Sequence, residues 1–95
     1  MKGIEIVESR PGQISLAITR VKDNQTLAQE LEDRFSAIGG IHQVEADAAR
    51  GTVSIAYDRR ELSSLRSLLH LKEAFSSFFP EINPSKLAAW LSQNL

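Results

Sequence analysis

Ninety-five residues, 10.5 kDa in all, make one domain and not two, and 42% hydrophobic with 24% charged residues is the balance of a chain that buries a core. Eleven Lys and Arg against twelve Asp and Glu leave a net charge of −1, which gives neither nucleic acid nor anionic lipid an electrostatic reason to bind. The lack of cysteine removes disulfides, thiolate nucleophiles and sulfur ligands; no apolar run reaches the roughly 20 residues that cross a bilayer, and no signal-peptide core follows Met1-Lys2-Gly3, so the expected setting is cytoplasmic, without membrane insertion.

In chain order, Ile4, Ile6 and Val7 mark an extended stretch over residues 4–8, which Pro11-Gly12 separates from Ile14. It is either an added edge strand or the bent start of the next one. Ile14, Leu16 and Ile18 alternate with polar Ser15 and Thr19, the two-residue period of a half-buried strand. Asp23 and Asn24 are each suited to accept the first helical amides, and Thr26 with Gln29 is an alternative capping box. Leu27, Leu31, Phe35 and Ile38 then recur at helical spacing, predicting a helix over residues 25–38 with Gly39-Gly40 as its left-handed stop. Residues 42–47 and 52–57 read as antiparallel strands joined by Ala48-Ala49-Arg50-Gly51. Leu62, Leu65, Leu68, Leu69, Leu71, Ala74, Phe75, Phe78 and Phe79 predict one helix over residues 61–79. Its apolar arc exceeds half the circumference, leaving Ser63, Arg66, His70, Glu73 and Ser77 as the polar strip. Pro80 closes it. Asn83-Pro84 opens a short amphipathic helix over residues 83–95 with Leu87, Trp90 and Leu91, too short to stand alone. The chain thus divides into a domain over residues 1–82 and this C-terminal helix.

This order predicts an α+β fold: a ferredoxin-like split βαβ sandwich, βαββα plus the short C-terminal helix, with helices on one face of an antiparallel sheet. Leu16, Ile18, Leu31, Phe35, Val53, Ile55 and Leu65 are its expected core. A fourth strand is not evident. Residues 4–8 fill the edge, the last helix covers it, or it is left to a partner.

Few residues offer chemistry. His42 and His70 are the only histidines, with Asp23, Glu45 and Asp47 as carboxylate partners for a metal, although isolated histidines are ordinarily solvated surface groups. Glu30, Glu32 and Asp33 lie opposite an apolar stripe and form a solvated face rather than an acid–base pair. No serine stands in a nucleophile motif, and Gly39-Gly40 follows its helix, so it is no phosphate loop. Arg50, Arg59 and Arg60 have only Tyr57 as a stacking aromatic, too few for nucleic acid on the sheet. No catalytic residue is assigned, and the chain is not expected to be an enzyme.

Over residues 10–57 the sequence resembles the cysteine-free relatives of the heavy-metal-associated domain of copper chaperones and metal-pumping ATPases. The likeness lies in Pro11-Gly12 entering a strand, the Leu31/Phe35/Ile38 stripe, Gly40-Ile41, and Gly51-Thr52-Val53 leading to Tyr57-Asp58. Aligning Gly40-Ile41 with the family's Gly-Val pair brings the Met-x-Cys-x-x-Cys motif onto Lys22, Asn24 and Leu27. None can replace its counterpart: Leu27 has no lone pair and Asn24 offers a weak neutral oxygen. The resemblance therefore implies the fold, with no metal at that loop and no cofactor.

The surplus apolar surface of the helix over residues 61–79 and of the last helix points to a non-catalytic protein-binding or assembly module, and the resemblance implies that it is an accessory to metal handling. Its partner is another protein or a second copy, met through Leu68, Leu71, Phe75, Phe78, Phe79, Leu87, Trp90 and Leu91 and an open strand edge. The alternative is a metal or small-ligand sensor using His42, His70 and carboxylates.

Overall fold

Alternating apolar residues in four strands set one face of a sheet against two helices. The computed structural model describes residues 3–62 and 64–80, together with Ala89 and Gln93. Its elements are β1 (Ile4–Arg10), β2 (Gln13–Ile18), a 3-10 turn (Thr19–Val21), α1 (Gln25–Ser36), β3 (Ile41–Asp47), β4 (Thr52–Tyr57), α2 (Arg59–Leu62) and α3 (Leu65–Phe78). The strands form one antiparallel sheet in the order β1-β2-β4-β3, which makes the fold α+β and ferredoxin-like, as expected. Among the described residues no helix is long and apolar enough to cross a membrane.

The fourth strand comes from the N-terminal side. β1 pairs with β2 through a two-residue turn in which Arg10 faces Gln13. Pro11 and a Gly12 at φ +85° give that turn its type II residues. Of the three readings of the missing edge strand, the one in which residues 4–8 fill it is the one observed, leaving β1 and β3 as the outer strands. A register shift between Ile6 and Glu8 breaks β1 and leaves Val7 exposed. On the opposite edge, the Glu32 carboxylate of α1 accepts the Ala46 amide of β3 at 2.9 Å. Glu32 thus ties helix to strand and shields an edge amide from outside pairing.

The core collects Ile14, Leu16 and Ile18 of β2, Val53, Ile55 and Tyr57 of β4, Leu31 and Phe35 of α1, and Leu71 and Phe75 of α3, all buried. Phe35 lies 5.2 Å from Phe75 and 5.8 Å from Phe78 between ring centroids, so three aromatics knit α1 to α3. Arg20 locks the far end of α3: it donates to the Phe78 carbonyl at 3.1 Å and lies over the Phe79 ring.

The helices depart from expectation in two ways. Residues 61–79 form two helices, because Asp58 starts α2 by accepting the amides of Arg60 and Glu61, and Ser64 starts α3 by accepting the Ser67 amide at 3.3 Å. Serine and aspartate favour such caps over helix interiors. This restart leaves Leu65 75% and Leu69 48% exposed, so Leu65 does not belong to the core as expected. α1 also ends at Ser36, short of Ile38, and of the two glycines beyond it Gly40 alone takes a positive φ.

Candidate metal centre

The loop onto which the resemblance brings a thiolate motif joins β2 to α1. Asn24 is the N-cap of α1, its side-chain oxygen accepting the Leu27 amide at 3.1 Å. That oxygen is engaged in starting the helix, and Leu27 packs half-buried against the core. Asp23, just before, adopts a left-handed φ of +59° and donates its amide to the Ala48 carbonyl at 2.7 Å. Lys22, Arg50 and Glu5 line the groove of about 280 Å³ beside this loop, a single carboxylate against two cations, which does not favour a bound cation. The loop keeps its place at a helix N-terminus while its donors suit no soft ion.

This arrangement makes a gain of binding testable. Asn24→Cys with Leu27→Cys places sulfurs at the cap and in the first turn, where the helix dipole favours thiolates. The double variant is expected to bind one equivalent of copper(I) against a chromogenic competitor, and the parent chain none. Failure of the variant would mean that the loop is not shaped like that of the metal-carrying relatives.

A different donor set converges at the other end of the sheet. His42 follows the first residue of β3, at a register shift between Ile41 and Gln43; Asp58 follows β4, and Glu61 lies on α2. One ligand atom of each lies within 4.8 Å of the others, and all three residues are exposed. Gly40 is the joint: its carbonyl accepts the Asp58 amide at 2.7 Å, tying the start of β3 to the end of β4. One Asp58 oxygen accepts two amides, from Arg60 at 2.9 Å and Glu61 at 3.1 Å, which fixes the carboxylate plane. The Asp58 pKa is lowered, chiefly by the Glu61 amide, against desolvation, with help from the Arg60 amide and the charges of His42 and Arg60.

The partners expected for His42 lie elsewhere. Glu45 accepts from the Gln43 side chain at 2.7 Å, Asp47 accepts the amides of Ala49 and Arg50 in the β3–β4 turn, and Asp23 sits in the β2–α1 loop. His70 is exposed on α3 and stands outside the group formed with His42.

Of the residues expected to meet a partner, Leu71, Phe75 and Phe79 are buried in this chain's own core, because they share the side of α3 that faces α1 and the sheet. Leu68 is half-buried, and Phe78 is half-buried against the core. Leu87, Trp90 and Leu91 lie outside the described residues. The exposed leucines of α3 are Leu65, which was expected in the core, and Leu69. Tyr57 is buried and is not presented to a ligand on the open face of the sheet.

A family model described as heavy metal associated domain 2 matches residues 1–72. No curated protein and no solved structure matches the chain.

Proposed function

Since the chain belongs to the heavy metal associated domain 2 family, we propose that it serves metal handling as a non-catalytic protein-binding or assembly module. Leu65 and Leu69, one helical turn apart and both exposed, carry this proposal. With half-buried Leu68 beside them they give α3 an apolar flank turned away from the core. Leu87, Trp90 and Leu91 of the C-terminal segment are its proposed second element, and the partner is a protein or a second copy of the chain. The capped Asn24 and the aliphatic Leu27 support a role other than carrying a soft ion at the family's loop.

The test is Leu65→Asp with Leu69→Asp. Leu65 opens α3, where aspartate suits the first turn, while Leu69 lies one turn further on and is 48% exposed, so the pair together is expected to cost no more than about 2 kcal/mol. Light scattering at high micromolar concentration should show the parent chain as a dimer, or pull-down should show a retained protein, with either lost in a variant whose circular dichroism shows that it is still folded. Removal of residues 81–95 separates a second explanation, that the segment covers this flank within one molecule. A monomeric parent chain without a partner, sharply destabilised by that removal, would overturn the proposal.

A further inference from the structure

We infer that His42, Asp58 and Glu61 form a site for a borderline divalent cation of the zinc, nickel or cobalt kind. The site is at the end of the sheet opposite the β2–α1 loop, and it uses none of the leucines of the proposed docking flank, so the two proposals stand or fall separately.

The donor chemistry selects the ion. One imidazole nitrogen with two carboxylates suits borderline first-row divalent ions, whereas magnesium and calcium take oxygen donors alone and copper(I) wants sulfur. The spacing is close to what such an ion needs. With metal–ligand distances of about 2.0–2.2 Å, tetrahedral coordination puts neighbouring ligand atoms about 3.4 Å apart. The three groups already lie within 4.8 Å of one another, and rotation of exposed side chains closes the difference.

Asp58, the cap of α2, and Glu61, three residues on, share one helical turn, and the fold brings the strand residue His42 to them. His42 comes from the start of β3, Asp58 from the end of β4 and Glu61 from α2, and the 2.7 Å bond from the Asp58 amide to the Gly40 carbonyl holds these segments together. One Asp58 oxygen is committed to backbone amides, which leaves the second for an ion. Two carboxylates supply the negative charge of the site, with water completing the coordination. Exposure and the nearby positive charge of Arg60, which also acts on Asp58, limit the affinity to the order of micromolar.

The experiment is calorimetric titration of the untagged full chain with zinc, nickel and cobalt(II) chlorides, cobalt being followed also by its visible spectrum. One equivalent should bind. His42→Ala and Glu61→Gln should each weaken binding by about tenfold or more, while His70→Ala leaves it unchanged. Asp58→Asn keeps an oxygen for the two amides, so it should fold and still bind more weakly. A millimolar excess of magnesium should not displace cobalt. Failure of all three ions to bind below millimolar concentration overturns the site, as does binding indifferent to His42→Ala and Glu61→Gln, lost in His70→Ala, or displaced by magnesium.

Discussion

Phe35→Ala is expected to cost about 3–5 kcal/mol, the range for emptying a buried aromatic position. The Phe35 ring is wholly buried and sits against Phe75 and Phe78, so its loss opens a cavity at the seam between α1 and α3. Neither helix can close that cavity freely. α1 is held to β3 by the Glu32–Ala46 hydrogen bond, and α3 is held at its last turn by Arg20. A domain of this size has only about 5–15 kcal/mol in total, and 1 kcal/mol moves its melting temperature by about 4–8 °C. Urea denaturation should show the midpoint falling steeply, with Phe35→Leu losing much less because it refills most of the volume. A variant melting with the parent chain would mean that α1 does not pack where it is described.

The central sheet was legible because burial writes itself directly into alternation: Ile14, Leu16 and Ile18 repeat every second residue, and so do Val53, Ile55 and Tyr57, facing the same helices. The stripe of α1 was legible for the same reason at the longer period, with Leu31 and Phe35 one turn apart. What the apolar pattern hid was a change of phase. Leu62 and Leu65 are three residues apart, as they would be in one continuous helix, so hydrophobic spacing alone carries the eye past the new start that Ser64 gives α3. The signal that marks it is polar: Asp58 lies three residues before Glu61, and Ser64 three before Ser67, each accepting the amide at that distance. Weighting caps above apolar spacing would have exposed Leu65 in advance. At the candidate metal centre, His42 was legible as a ligand but its partners were not. Sequence proximity favours Glu45 and Asp47, whereas Asp58 and Glu61 reach His42 through antiparallel pairing of β3 with β4 and the Gly40–Asp58 contact.

That contact makes Gly40→Ala the second substitution with a large expected effect. Gly40 holds φ at +93°, a conformation in which a side chain costs about 1–3 kcal/mol by itself. Space is also lacking: a Cβ there would sit 2.6 Å from the Leu62 nitrogen, 2.9 Å from its Cα and 3.1 Å from the Glu61 carbonyl carbon. All three are backbone atoms of α2, so no side-chain rotation relieves the clash, and α2 must shift with buried Leu62 on it. The expected loss is above about 3 kcal/mol, since backbone strain and steric displacement act together. Gly39→Ala is the matched control. Its nearest neighbour would be the Ser67 hydroxyl at 3.4 Å and its φ lies outside the left-handed region, so its effect should stay within about 1 kcal/mol of zero, any gain coming through the unfolded chain. Equal urea midpoints for the two variants would mean that α2 does not press against the Gly40 backbone. If they separate as expected, cobalt titration of Gly40→Ala, kept folded by working at low temperature and without denaturant, should also show weaker binding, because the helix that is pushed away is the one that carries Glu61 toward His42.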